Sequence, residues 1–381
     1  MAQTTAPAPK IISADIIRSI PMFYWHNGCE WIVAGNLDTY QKEHGQFEID
    51  PDKLEEFIAS GYVYGNGTVY KNVFALQAGE TITFDGDRIR SERHFEFRPV
   101  NRAKHYPTLD AFVAAFDKVL MDVFSRMVAE VRPEGNWILP LSGGIDSRII
   151  AYYLHRLGEK KVVCFSYGTP ASPQSLKSKQ VAEVLGYPWH FVEYTEEKWL
   201  DLHQKGLIDD YIRFAFNGVS TPHLQDFLAV YELKKGGVIS PGDMFVPGHT
   251  FNFIAGSDFN VCDLQCNCRE SAVANTFQRH SRIKEYSASP VRSIEKIFDQ
   301  AFVHPVYFQE YFDWQEQHAK YIANSIRTYE FFGFDAKLPY WDKEIVDFWL
   351  SVPDEDRLGR KILIESVRNG LLPESLKHIP P

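Results

Sequence analysis

The chain has 381 residues, 45% hydrophobic and 14% aromatic, and carries a formal net charge of -10. That composition builds a large apolar core, and the length predicts two domains. The acidic excess excludes a nucleic-acid groove as the main function, and no apolar run reaches the ~18 residues that cross a bilayer.

Met1 to Lys10 is rich in Ala, Pro and Thr and lacks the apolar core of a signal peptide, so it reads as a flexible lead-in. Five scattered cysteines make no disulfide framework, which points to the cytoplasm. From Ile11 to Val100 the pattern is β-rich. Met22-Phe23-Tyr24-Trp25 and Trp31-Ile32-Val33 flank His26-Asn27-Gly28 as a hairpin, with Cys29 inside it. Asp50 and Pro51 start a helix that runs to Ala59 and stops before Gly61. Thr81 to Phe84 and Arg88 to Arg90 bracket Asp85-Gly86-Asp87, a second hairpin.

After Pro107 the texture changes. Phe112, Phe116, Val119, Val123, Phe124 and Met127 recur at helical spacing, which predicts a long helix over Leu109–Val131. Trp137 to Leu141 reads as a strand, Ser147 to Leu157 as a helix, Lys161 to Ser166 as a strand and Leu176 to Leu185 as a helix. Strand–helix alternation of this kind implies an α/β fold with a doubly wound parallel sheet. Beyond Asp201 the pattern is mostly helical, with one more strand expected at Gly237-Val238-Ile239-Ser240. The division expected is a small β-rich domain over residues 1–105 and an α/β domain with a helical C-terminal part over 106–381.

The chemistry concentrates between the first α/β strand and its helix, at Leu141-Ser142-Gly143-Gly144-Ile145-Asp146-Ser147. In a parallel sheet such a turn faces the ligand crevice. Its glycines let backbone N–H groups approach a pyrophosphate, and the helix N-terminus adds partial positive charge. Asp146 has the wrong sign for a phosphate unless Mg²⁺ stands between them. No lysine follows the glycines, so this is not a kinase-type phosphate loop. Cys262, Cys266 and Cys268 with His280 lack the usual zinc spacing and read as ordinary thiols. The aromatic stretch Tyr307 to Trp314 reads as core or interface.

Leu141-Ser-Gly-Gly-Ile-Asp-Ser-Arg148 resembles the signature of the ATP pyrophosphatases, closest to the asparagine synthetases. Phe165-Ser-Tyr-Gly168 with Gln180 to Gly186, Gly333 to Asp342, Gly359 to Glu365 and Leu371-Leu-Pro373 resemble further family segments in the same order. The resemblance implies an adenine-nucleotide α-hydrolase-like fold, with ATP and Mg²⁺ as cofactors. It implies nucleotide contacts from Leu141, Ser142, Gly143, Gly144, Asp146, Ser147, Ser166, Tyr167, Gly168, Ser240 and Gly242. Asp146 and Asp243 would hold the metal. Lys361 is the preferred catalytic cation, although strict register puts Arg360 on the family's lysine. The family's glutamate base is missing from Ser240 to His249, and Glu330 is the candidate to replace it; His249 is weighed as a contact to substrate or phosphate.

The family's glutaminase domain opens on a cysteine at position 2, where this chain has Ala2, and Ile20 to Phe95 resembles only that domain's second half. The implied activity is an AMP-forming amide ligase without its own glutaminase. It would join a small-molecule carboxylate to ammonia or an amine. A β-lactam-synthetase-like ring closure, or an inactive nucleotide-binding partner of a separate glutaminase chain, are the alternatives. Neither nucleic acid nor membrane is expected as a partner, and a homodimer is compatible with the resemblance.

Overall fold

The computed structural model describes residues 10–99, 106–131, 134–283 and 288–379. The lead-in, except for Lys10, and the junction expected near residue 105 fall outside them. The chain clusters into two compact units. One comprises Met1–Arg98, Ile212–Pro222 and Cys262–Asn324; the other comprises Pro99–Tyr211, His223–Val261 and Ser325–Pro381. Two later segments, expected in the helical C-terminal part, therefore join the N-terminal unit.

The first unit holds β1 (Lys10–Ser13), β2 (Phe23–His26), β3 (Trp31–Ala34), β4 (Phe74–Ala75), β5 (Glu80–Asp85) and β6 (Arg88–Arg93). They form two antiparallel sheets, ordered β1-β5-β6 and β3-β2-β4. Both expected hairpins are present. β2 pairs with β3 around a turn in which the Asn27 carboxamide accepts from the Cys29 and Glu30 N–H groups. β5 pairs with β6 across Gly86-Asp87. Successive side chains of β2 alternate faces: Tyr24 packs with Ile12, Leu76, Ile82 and Phe84, whereas Phe23 and Trp25 pack with Leu37, Val73 and Val219. The strand is thus buried on both sides. Helix Pro51–Ser60 starts at Asp50, whose carboxylate accepts from Asp52 N and Lys53 N, and ends at the left-handed Gly61.

Three later helices of this unit, Arg269–His280, Ser289–Ala301 and Pro305–Phe312, bury Phe277, Ile294, Phe308 and Phe312 around Tyr62 and Tyr64. The aromatic stretch from Tyr307 is therefore core. It continues into a ten-residue π-helix, Asp313–Ile322, a rare geometry that tertiary contacts must hold. Inside it Lys320 donates to Glu316 and to the carbonyls of Val63 and Gly65.

The second unit is built on five strands: β7 (Trp137–Pro140), β8 (Val162–Gly168), β9 (Trp189–Glu193), β10 (Met244–Phe245) and β11 (Asp335–Ala336). Their order is β11-β10-β7-β8-β9 and every neighbouring pair is parallel. This is the expected doubly wound α/β sheet. Helix Leu109–Glu130 lays Phe112, Phe116, Leu120, Val123, Phe124 and Met127 into its core.

One expected strand is misplaced. Gly237 to Ser240 does not join the sheet: Val238 and Ile239 donate their N–H groups back to the Leu233 carbonyl, closing the preceding helix. The strand starts after the next turn, at Met244. Among the described residues no helix is long and apolar enough to cross a membrane.

Candidate active site

The sheet order reverses at β7: β8 and β9 extend to one side, β10 and β11 to the other. In an open parallel sheet the crevice beyond the carboxyl ends of the strands at such a switch point is where ligands bind. The loops there are Leu141–Gly144 after β7 and Val246–Thr250 after β10. The Gly-rich motif and the topology select the same place.

The loop is built by its own small residues. Ser142 N donates to Ser147 Oγ at 3.2 Å, and Gly144 N donates to Ser142 Oγ at 3.3 Å. Gly144 caps helix Ile145–Arg156 and has no side chain to accept the first-turn N–H groups. Those amides and the helix dipole favour an anion. Gly143 has φ +77°, and a Cβ there would lie 2.8 Å from the Gln174 carbonyl oxygen. Gly143→Ala is accordingly expected to cost about 1–3 kcal/mol of stability and to weaken any nucleotide binding that depends on the loop amides. Thermal unfolding and a nucleotide titration check the two effects.

Arg148, fully buried, holds the loop from below. It donates to Gly143 O at 2.7 Å, Leu376 O at 3.2 Å and Ile379 O at 2.5 Å. Burial pushes its pKa down. Three carbonyls accept from its two terminal nitrogens and tie the loop to the C-terminal segment.

Asp146 lies in the first turn of the helix. Its carboxylate receives the Arg360 guanidinium at 2.8 Å, and its carbonyl accepts the Tyr340 hydroxyl at 2.7 Å. Burial raises the Asp146 pKa, while Arg360 and the Asn252 N–H pull it down. Arg360 reaches the loop because Gly359 and Arg360 both adopt left-handed backbone, with φ 59° and 64°, before helix Lys361–Ser366 begins. Lys361, the cation preferred on sequence, is exposed on that helix. The structure brings Arg360 to the loop instead.

Asp243 does not join Asp146. Met244 pairs with Trp137, the first residue of β7, so Asp243 stands at the amino end of the sheet. At about 3.3 Å per residue, Leu141 lies roughly 13 Å beyond Trp137. The Asp243 carboxylate is engaged locally, accepting from Asn136 N at 2.6 Å and Ser240 N at 2.7 Å. Ser240 and Gly242 sit in the same turn, also away from the loop. These three assignments are corrected by the strand position: the turn that faces the crevice follows β10 rather than preceding it.

The residues missed are therefore Gly248 and Thr250. A side chain at Gly248 would sit 3.3 Å from the Ser147 amide nitrogen. Thr250 is left-handed at φ 73° and precedes the short helix Phe251–Ile254 that supplies the Asn252 N–H. The Pro247-Gly248 step after Met244-Phe245-Val246 was the available signal. His249, in the same loop, shares a 3.1 Å hydrogen bond with Ser325 Oγ.

Burial lowers the His249 pKa below 6.5, with Asp226 pulling the other way. The unfolded chain then binds a proton that the folded chain resists. The residue's contribution to stability is thus complete above pH ~6.5 and declines as pH falls below it. A His249→Gln variant should show a flatter stability–pH curve below pH ~6.5 in denaturant titrations.

On β8, Ser166 is buried, and Gly168 ends the strand at φ +117°. The Tyr167 hydroxyl donates to Asp226 at 2.5 Å, its ring stacks 4.9 Å from Tyr194, and Tyr329 donates to the other Asp226 oxygen. Burial, with Asp226 adding to it, raises both tyrosine pKa values and keeps them as hydroxyl donors. Glu330 is ion-paired with Arg327 at 2.5 Å, and burial raises its pKa.

The cysteine candidates gather no metal site. His280 is shared by the Tyr62 hydroxyl at 2.6 Å and Asp313 at 2.8 Å, while Cys266 accepts from the Asn275 carboxamide. Cys29, Cys262 and Cys268 are exposed, free thiols. Among the described residues no group of three His, Cys, Asp or Glu could hold a metal ion.

The parallel sheet with a Gly-rich turn at its switch point defines an α/β protein of the nucleotide-binding type. Residues 122–235 match the family model described as asparagine synthase. Over 166 residues the chain is 25% identical to "Putative asparagine synthetase (glutamine-hydrolyzing) 2" of Methanocaldococcus jannaschii. That alignment covers 41% of this chain and 30% of the length of the relative. Through this segment, which includes β7, the Gly-rich turn and β8, the chain is similar to the asparagine synthase family, and it spans less than a third of the length of that relative.

Proposed function

We propose that this chain is an ATP-dependent, AMP-forming amide ligase that activates a small-molecule carboxylate and transfers its acyl group to ammonia or an amine. The observation that carries this reading is the Ser142-Gly143-Gly144 turn at the switch point, with Arg360 meeting Asp146 beside it. A carboxylate oxygen would bond to the α-phosphorus as the α–β phosphoanhydride breaks. The loop amides and Arg360 would take up the charge of the departing pyrophosphate. The nitrogen would then attack the acyl carbon and AMP would leave, the nitrogen's proton passing to a base for which Glu330 is the candidate. Splitting the condensation into two displacements lowers each barrier.

Asp146 is the residue that would hold Mg²⁺. Its side chain is about one-fifth exposed, and one carboxylate suffices for an ion that takes its other ligands from water and substrate phosphates. Bound there, the ion would offset phosphate charge. Asp243 has no part in it.

The nitrogen source in this reading is free ammonia, a substrate amine, or ammonia from a separate glutaminase chain. Cys29 lies exposed in a hairpin turn with its N–H tied to Asn27. The test is a screen of carboxylates with ammonia and amines for release of AMP and pyrophosphate in equal amounts. Release of ADP and phosphate instead would overturn the reading. Glutamate formed from glutamine by the purified chain would overturn the assignment of the nitrogen source.

A further inference from the structure

The first unit holds a polar cavity of about 420 Å³, lined by β5, β6, the loop after Val63, the helices from Ser293 to Glu316 and Lys53, whose ammonium is taken up by Glu56 and the Tyr64 carbonyl. It lies within a single unit and shares no residue with the loop around Ser142. Its lining charges are unevenly matched. Glu316 is paired with Lys320 and accepts from Gly65 N; Glu96 is paired with Arg98 and accepts the Tyr311 hydroxyl at 2.9 Å.

Arg93 and Glu80 stand opposite each other across β5 and β6, yet no ion pair joins them. The Arg93 guanidinium is held by neutral oxygens only: Ala78 O at 2.7 Å, Gln315 Oε1 at 3.3 Å, and Gln77 Oε1. Glu80, 5% exposed, accepts from Ser91 Oγ at 2.5 Å and Gln77 N at 2.8 Å, with no cation on it among the described residues. Gln315 supplies the decisive observation. It is 3% exposed, its oxygen faces Arg93, and its Nε2 has no acceptor although it is buried. A buried amide donor left without a partner costs about 1–3 kcal/mol, so an acceptor is expected there.

We propose that this cavity binds a small zwitterion of free-amino-acid size. Its carboxylate is received by the Arg93 guanidinium and Gln315 Nε2, and its ammonium is received by Glu80. A guanidinium next to an amide donor suits a planar carboxylate. A phosphate dianion would meet the Glu80 carboxylate beside Arg93, and a simple cation would leave Arg93 and Gln315 unmatched. Lys296, exposed at the rim, adds attraction for the carboxylate end.

The test is calorimetric titration of the full chain with each of the twenty free amino acids, and with acetate, inorganic phosphate and putrescine as single-sign controls. The expected result is saturable binding of at least one amino acid, with the controls at least tenfold weaker. Arg93→Gln and Gln315→Leu should each weaken it tenfold or more. Lys296→Glu, at an exposed position that leaves the fold alone, should weaken it several-fold. Binding should persist in Arg360→Ala, which separates this cavity from the Ser142 loop. No binding by any amino acid, stronger binding of a control, or binding unmoved by Lys296→Glu and Gln315→Leu would overturn the proposal.

Discussion

Arg360→Ala is expected to lower pyrophosphate release by about 10²–10³, the scale for removing one preorganised contact to developing charge, whereas Lys361→Ala should stay within about twofold. The difference comes from backbone geometry. Left-handed Gly359 and Arg360 turn the Arg360 side chain onto Asp146, and Lys361 opens the next helix facing solvent. A non-glycine residue in this conformation costs roughly 1 kcal/mol or more, a strain that function explains. Arg360→Gly is therefore the sharper test: it relieves the strain and should hold or raise the melting temperature while losing the same turnover. Loss of activity in Lys361→Ala with Arg360→Ala intact would show that the ion pair with Asp146 is structural alone. In Arg360→Ala the opposing charge on Asp146 is also gone, so burial is countered by the Asn252 N–H alone and the Asp146 pKa moves further up. Any acid limb that Asp146 contributes to the activity profile should shift to higher pH.

The second large effect is on stability. Arg148→Ala should destabilise the second unit by about 3–5 kcal/mol, because it removes a fully buried side chain and takes its donors from the carbonyls of Gly143 and Ile379, while Leu376 O keeps the Ile379 N–H. For a unit of this size that is a fall of roughly 10 °C in melting temperature. Arg148→Lys should rescue little, since one ammonium cannot span three carbonyls on two separate segments. Denaturant titration of both variants gives the ranking. A loss below about 1 kcal/mol would mean that the C-terminal segment is held by its apolar contacts instead, with Leu371, Leu372, Leu376 and Ile379 buried there.

Much of this molecule could be read locally. The Asp85-Gly86 turn, the Asp50–Pro51 helix start and the spacing of Phe112, Phe116 and Phe124 act over a few residues, and each produced the element expected. The loop around Ser142 was legible because its residue types and its place after an apolar strand are both properties of a short segment. The family match over 122–235 covers the same stretch.

Elsewhere short-range signals ran out. Met244–Phe245 is a two-residue strand with no period to detect, so Val238-Ile239 looked the better candidate until the Leu233 carbonyl claimed their N–H groups. That slip carried Ser240, Gly242 and Asp243 to the wrong end of the sheet and hid Gly248 and Thr250. Which of Arg360 and Lys361 meets Asp146 depends on two backbone angles that no composition encodes.

The sequence by itself determined the fold class and the place of the Gly-rich loop after β7, because these follow from turn chemistry and hydrophobic periodicity within single segments. Only the tertiary structure decided that 212–222 and 262–324 join the N-terminal unit, that Asp146 meets Arg360 and not Asp243, and that Gln315 faces Arg93 without an acceptor for its amide. Those facts join residues up to 222 positions apart. They are fixed by which buried polar groups find partners once the core has closed, a condition no local stretch of chain can state.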